Sequence, residues 1–140
     1  MSKTRILLIE DNPADVLLLK KALRQATLDF QLFLLEDGEQ ATRFLERHPH
    51  PEADFDLVLL DLNLPRVDGE AVLRKLRHNE RFADVPVILW SSVATPPNRS
   101  MLQELRVARF INKPISLDEF LKIGAEVRDV VVKKSPPLAA

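Results

Sequence analysis

Residues 56–69 read Asp-Leu-Val-Leu-Leu-Asp-Leu-Asn-Leu-Pro-Arg-Val-Asp-Gly, and this stretch decides the fold. The apolar run at 57–60 is too short for a helix, which predicts a strand covered on both faces, as in a parallel sheet. Pro65 cannot donate to a sheet ladder and Asp68-Gly69 favours a turn, so the strand should end at Asp61. Ligands bind at the carboxyl ends of strands in open α/β sheets, and we expect Asp61 to lie there.

Four other apolar runs predict the remaining strands, at residues 5–9, 30–35, 87–90 and 109–112. Helical patterns separate them, at about 13–26, 39–47, 69–79 and 98–105, and a last helix begins after Ser116. This alternation predicts an α/β fold, a five-stranded doubly wound parallel sheet with helices on both faces. We expect one domain at 1–132 and a disordered tail at 133–140.

The last helix has an apolar stripe that should face the core. Two valines, Val130 and Val132, do not fit that stripe and are predicted to be exposed. The stripe consists of Phe120, Leu121, Gly124, Val127 and Val131.

Composition excludes several classes of protein. The chain has 140 residues and a formal net charge of −1, so no overall field favours nucleic acid or an acidic membrane. It has no cysteine, which excludes disulfides, thiolate metal sites and a cysteine nucleophile. No apolar run is long enough to span a membrane and no leader segment is evident, which predicts a cytoplasmic protein. His48 and His50 are interpreted as part of a solvated loop, because no third metal ligand is near them in sequence.

Polar residues follow the predicted strands, where parallel strands bring them to one edge. Hard oxygen ligands of this kind favour Mg²⁺, and Mg²⁺ with an ammonium neutralises a phosphoryl group in transfer. Asp61 is then the candidate nucleophile. The alternative, that these are helix caps and strand-end polar groups, explains any one of them better than all of them together. They are Glu10, Asp11, Asp61, Ser91, Ser92 and Lys113.

These motifs resemble the receiver domain of two-component response regulators, over residues 5 to about 131. The resemblance implies a flavodoxin-like sheet of strand order 2-1-3-4-5. The residues that carry it are Glu10-Asp11, Asp61 with Pro65 and Gly69 after it, Ser91, and Lys113-Pro114.

The resemblance also implies roles for the site residues. Asp61 would accept a phosphoryl group from a histidine kinase, and Lys113 would bind a phosphoryl oxygen. Asp11, Asp61 and the backbone carbonyl of Asn63 would hold Mg²⁺, with Glu10 acting through water. The implied protein is a signalling protein whose own chemistry is confined to Mg²⁺-dependent self-phosphorylation and self-dephosphorylation.

Ser91 aligns with the family's Ser/Thr switch and Phe110 with its aromatic partner. Phosphorylation would draw the Ser91 hydroxyl toward the phosphoryl group and let Phe110 move inward, repacking the surface of the fourth helix, fifth strand and fifth helix. Plain core packing is an equal alternative for Phe110, and Trp90 is interpreted as a core residue.

The resemblance covers the chain and leaves no output domain, so we expect a stand-alone receiver that binds downstream partners or relays phosphate. Its motifs are most similar to regulators that accompany bacterial phytochrome kinases. Those relatives often pair through the fourth-helix, fifth-strand and fifth-helix surface, and exposed Val130 and Val132 would suit such a homodimer.

Two other classes compete with this interpretation. An aspartyl-phosphate phosphatase usually has a second aspartate two residues after its nucleophile, where this chain has Asn63, which has no proton to give. A nucleotide- or flavin-binding module would need a glycine-rich first turn, but residues 10–13 carry negative charge and no glycine.

Overall fold

The computed structural model describes residues 3–47, 54–93 and 97–133. His48, His50 and the predicted tail beyond Lys133 lie outside the described residues. The elements in chain order are β1 (Thr4–Ile9), α1 (Pro13–Gln25), β2 (Phe30–Leu35), α2 (Gly38–Glu46), β3 (Leu57–Asp61), α3 (Gly69–His78), β4 (Val87–Ser91), α4 (Arg99–Glu104), β5 (Arg109–Asn112), α5 (Leu117–Leu121) and α6 (Ile123–Lys133).

The five strands form one parallel sheet of order β2-β1-β3-β4-β5, which confirms the predicted order. The inner strands β3 and β4 are buried along their whole length, because helices cover both faces of the sheet. The chain reverses its direction of winding between β1 and β3, and the crevice at this point is where such sheets bind ligands.

Alternation along each strand divides the core into two layers. Val58 and Leu60 pack with α2, α3 and α4 on one face, whereas Leu57 and Leu59 pack with α1, α5 and α6 on the other. We call these the α3 face and the α1 face. Because successive side chains point to opposite faces, residues that follow a strand in extended conformation continue this alternation.

Side-chain caps set where the helices begin. The side chains of Asn12, Asp37, Asp68 and Ser116 each accept a backbone N–H in the first turn of the following helix. At the start of α3, a Cβ on Gly69 would lie 2.6 Å from the Leu62 Cα, so only glycine lets this helix approach the end of β3. Among the helices of the described segments, none is long and apolar enough to cross a membrane.

The prediction for the last helix was wrong in one respect. The helix is interrupted at Lys122, and α6 buries its own stripe of Ile123, Val127 and Val130 at spacings of four and three residues. Val130 is therefore fully buried against the α1 face, while Val132 is exposed as predicted. Of the predicted stripe, Phe120, Gly124 and Val127 are buried and Val131 is partly buried against the same core, so the buried face is wider than predicted and also includes Val130.

Candidate functional site

Three charged residues continue the strand alternation onto the α1 face at the carboxyl end of the sheet. Glu10 follows β1 in phase with Ile6 and Leu8, Asp61 ends β3 in phase with Leu57 and Leu59, and Lys113 follows β5 in phase with Ile111. The sheet order makes β1 and β3 neighbours, and the predicted carboxylates therefore meet.

Lys113 binds three carboxylates with its single ammonium. Its Nζ donates to Glu10 Oε1 at 2.7 Å, to Asp15 Oδ2 at 2.8 Å and to Asp61 Oδ2 at 3.0 Å. Glu10 and Asp61 are buried, at 1% and 3% exposure. Buried charges need partners of opposite sign, and here one cation faces three carboxyl groups.

The acidic side of the site has the composition of a hard-cation site. Glu10, Asp11 and Asp61 each offer a carboxylate oxygen, and these atoms lie within 4.8 Å of one another. Asp11 is exposed, which leaves an open side, and Asn63 lines the same cleft of about 530 Å³. An all-oxygen donor set with excess negative charge fits Mg²⁺ or Mn²⁺ better than a softer metal.

Burial and charge act in opposite directions on the ionisable groups. Burial raises the pKa of the Glu10 carboxyl to about 8, and although hydrogen bonds from Lys113 and Asn12 favour the anion, the Asp61 charge adds to the increase. Burial also disfavours the charged form of Lys113. Hydrogen bonds to Asp15 and Glu10, with the charges of Glu10 and Asp61, outweigh that effect and raise the Lys113 pKa.

The two predicted switch residues lie on the other face of the sheet. Ser91 is buried at the end of β4, where its hydroxyl donates to Asn63 Oδ1 and accepts the Val93 N–H at 3.0 Å. Phe110 in β5 is half-buried against the α3-face core, beside Leu89 in the strand register. Phe110 thus packs against the core that includes α4, whereas Ser91 stays linked to the Lys113 backbone, whose N–H donates to the Ser91 carbonyl at 2.8 Å.

Part of the site also serves as local capping, as the alternative interpretation expected. Asp61 Oδ1 accepts the Asn63 N–H at 2.7 Å, Glu10 Oε2 accepts the Asn12 N–H at 3.0 Å, and Asn12 Oδ1 caps α1. Capping does not account for the convergence of Glu10 and Asp61 on Lys113 from three separate elements.

Two neighbours of Lys113 were not assigned to the site by sequence. Asp15 lies in the first turn of α1, where an acidic residue is ordinarily explained by the helix dipole. Trp90 is fully buried, as predicted for a core residue, but the Lys113 Nζ lies 4.6 Å from its ring centroid, within range of a cation–π interaction. The only local signal for Asp15 is an acidic residue in the first turn of α1, close in sequence to Glu10 and Asp11.

Comparison with known proteins identifies the family. The model of the response regulator receiver domain matches residues 6–124. Response regulator Rcp1 of Synechocystis is 34% identical, over 84% of this chain and 82% of that protein.

Solved structures agree with this result. The phosphorylated cyanobacterial phytochrome response regulator RcpA has a TM-score of 0.80 at 27% identity, covering 99% of this chain and 100% of that one. The Mn²⁺-bound form of Rcp1 has a TM-score of 0.78 at 29% identity, covering 97% and 99%. A magnesium-bound receiver domain of a Pseudomonas aeruginosa sensor histidine kinase has a TM-score of 0.65 at 29% identity, covering 89% and 97%. This chain therefore belongs to the response regulator receiver domain family.

Proposed function

We propose that Asp61 is the phosphoacceptor of this response regulator and that Asp11, Asp61 and the backbone carbonyl of Asn63 hold the Mg²⁺ that the reaction needs, with Glu10 acting through water. The observation that carries the proposal is the position of Asp61. Asp61 is buried at the carboxyl end of the central strand, 3.0 Å from the Lys113 ammonium. With Glu10 and Asp11 it forms the only set of three close carboxylates found among the described residues that could hold a metal ion, and we call this set the three-carboxylate group.

In the proposed step, an Asp61 carboxylate oxygen attacks the phosphorus of a phosphohistidine. An O–P bond forms, the P–N bond breaks, and the leaving imidazole nitrogen keeps the electron pair and takes up a proton. Lys113 stabilises the negative charge of the phosphoryl oxygens, and the buried position of the site strengthens this interaction. Hydrolysis of the acyl phosphate then transfers the phosphoryl group from Asp61 to water.

A bound Mg²⁺ would supply further positive charge to the phosphoryl oxygens. The protein's own contribution is to bring carboxylates from β1 and β3 together and to keep one side of the group open. The fully oxygen-based donor set supports Mg²⁺ as the physiological ion, and the Mn²⁺- and Mg²⁺-bound relatives support a divalent metal in general.

Ser91 and Phe110 would transmit the effect of phosphorylation from the site to the protein surface. The Ser91 hydroxyl is engaged by Asn63 in this structure, so that bond must break before the hydroxyl can turn toward a phosphoryl oxygen. Phe110 would then move inward and alter the surface of α4, β5 and α6, to which a downstream protein or a second copy of the chain would bind. Exposed Val132 lies on α6, whereas buried Val130 no longer supports pairing.

A sensor histidine kinase is the proposed phosphoryl donor. The likeness to Rcp1 and RcpA, the latter a phytochrome response regulator by its description, supports a phytochrome-type kinase as that donor.

The first test is intact-protein mass after incubation with acetyl phosphate. Wild-type protein should gain one phosphoryl group in the presence of Mg²⁺, and Asp61→Asn should gain none while keeping its circular dichroism spectrum. The matched control is Asp118→Asn, which removes an exposed carboxylate from the first turn of α5 and should be labelled like the wild type. Labelling that persists in Asp61→Asn, or that does not need a divalent metal, would contradict the assignment.

A further inference from the structure

The Lys113 ammonium has used all of its donors in this structure. An ammonium has three N–H groups and no acceptor, and Lys113 Nζ has three carboxylate partners. Each partner comes from a different element: Glu10 follows β1, Asp15 lies in α1 and Asp61 ends β3. A new partner for Lys113 therefore has to replace an existing one.

Phosphorylation of Asp61 would replace the hydrogen bond between Lys113 and Asp61. An acyl phosphate removes the negative charge from the Asp61 carboxylate and brings new anionic oxygens next to it. The Asp61 bond is also the longest of the three, at 3.0 Å. A phosphoryl oxygen can take over this donor while the other two bonds keep Nζ in place.

The two remaining partners differ in their relation to a metal. Glu10 belongs to the three-carboxylate group, and both of its oxygens are already engaged, by Lys113 and by the Asn12 N–H. A cation in this group would compete with Lys113 for Glu10. Asp15 is outside the group, so a cation held there would not compete with Lys113 for its carboxylate.

The Trp90 ring limits where the ammonium can move. Trp90 is fully buried and packs edge-on against Phe120, with ring centroids 5.9 Å apart. The Lys113 Nζ lies 4.6 Å from the Trp90 centroid. The ring thus bounds the ammonium on the side of the core, and Asp15 holds it from α1.

From this geometry we propose that Asp15 is a positioning residue that acts through Lys113, holding its ammonium at Asp61 while a metal engages Glu10. The inference rests on the proposed function, since it concerns the same phosphoryl site. It predicts that Asp15 contributes to phosphoryl binding without contributing a metal ligand.

The experiment compares wild type, Asp15→Asn, Asp15→Glu and the control Asp118→Asn. Three quantities are measured in each: Mg²⁺ affinity, beryllofluoride affinity in saturating Mg²⁺ from Trp90 emission, and the rate of labelling by acetyl phosphate from intact mass. Loss of one charge-assisted hydrogen bond should weaken beryllofluoride binding and slow labelling about tenfold in Asp15→Asn. Mg²⁺ affinity should fall by less than beryllofluoride affinity does, because Asp15 is not a ligand. Asp15→Glu should recover part of the loss.

The outcomes separate this inference from the function on which it rests. Asp15→Asn that matches Asp118→Asn, or that is labelled faster than wild type, would overturn the role of Asp15 alone. So would an equal loss of Mg²⁺ and beryllofluoride affinity, which would make Asp15 part of the metal site. Wild-type protein that takes up neither acetyl phosphate nor beryllofluoride would overturn both. If Asp15→Asn does not fold, Asp15→Ala is the second neutral variant: a loss of beryllofluoride affinity of about tenfold supports the role, and an affinity equal to that of Asp118→Asn overturns it.

Discussion

A partly buried cation lies near each end of the sheet, and the two cations have different hydrogen-bond acceptors. At the carboxyl end, Lys113 contacts three carboxylates. Near the amino ends of β4 and β5, the Arg77 guanidinium from α3 donates only to backbone carbonyls, at distances of 2.7 to 3.3 Å. These carbonyls belong to Phe82, Ala83, Val85, Leu105 and Arg106.

The difference shows in the charged states. The carboxylates raise the Lys113 pKa, whereas burial and the neighbouring Arg106 charge lower the Arg77 pKa to about 10. Within the part of the chain that the structure describes, no carboxylate forms an ion pair with Arg77. The carbonyls around Arg77 are fixed parts of two loops, so Arg77 joins the α3–β4 and α4–β5 connections. The partners of Lys113 are side chains that can be exchanged for a phosphoryl group.

The largest effect on stability is expected at Arg77. Arg77→Ala removes hydrogen bonds to five carbonyls, of which Phe82 and Ala83 keep another donor, and should lower the free energy of unfolding by about 3 kcal/mol. Urea denaturation at constant m-value measures this change. The protein that remains folded should still be labelled by acetyl phosphate. The matched control is Arg81→Ala, an exposed arginine on the same connection, and an equally small effect of Arg77→Ala would erase the contrast between the two ends.

An effect that is smaller for each pH unit should appear in the pH dependence of stability without metal. Glu10 titrates at about 8 when folded against an ordinary 4.5, so the folded protein holds a proton that the unfolded chain has released between these values. Its contribution is complete below pH 4.5 and is lost as pH rises through 8, with a slope of up to about 1.4 kcal/mol per pH unit.

Urea titrations of wild type and Glu10→Gln in a chelator isolate this contribution as the difference between the two proteins. Saturating Mg²⁺ should flatten the slope, because a cation favours the ionised carboxylate. A wild-type slope that equals that of Glu10→Gln would mean that burial does not raise the pKa of the Glu10 carboxyl.

The smallest effect is expected for a cation that is exposed. Arg74 on α3 bonds Glu104 on α4, with Nη1 and Oε2 2.7 Å apart, and this hydrogen bond lowers the pKa of Glu104. Both side chains are well exposed, so Glu104→Gln should move the urea midpoint by no more than the experimental error at high salt. A shift comparable to that of Arg77→Ala would show that exposure does not decide the importance of a cation in this fold.

Much of the fold and part of the site could be predicted from local sequence patterns. Short apolar runs mark strands, caps mark helix starts, and the period of two along β1, β3 and β5 determines which strand-end side chains share a face. Glu10, Asp61 and Lys113 could be grouped on these grounds because they follow strands directly. The register of neighbouring parallel strands then brings them together.

Other features depended on how the elements pack, which no local pattern contains. Asp15 reaches Lys113 only because α1 covers this face of the sheet, at a rotation that its contacts with α5 and α6 set. Val130 is buried because α6 packs a wider face against the sheet than its apolar stripe predicted. The carbonyls that accept hydrogen bonds from Arg77 lie in two loops, up to 29 residues away in sequence. The sequence by itself thus determined the strands and the charges at their ends, whereas tertiary packing decided which partners those charges have.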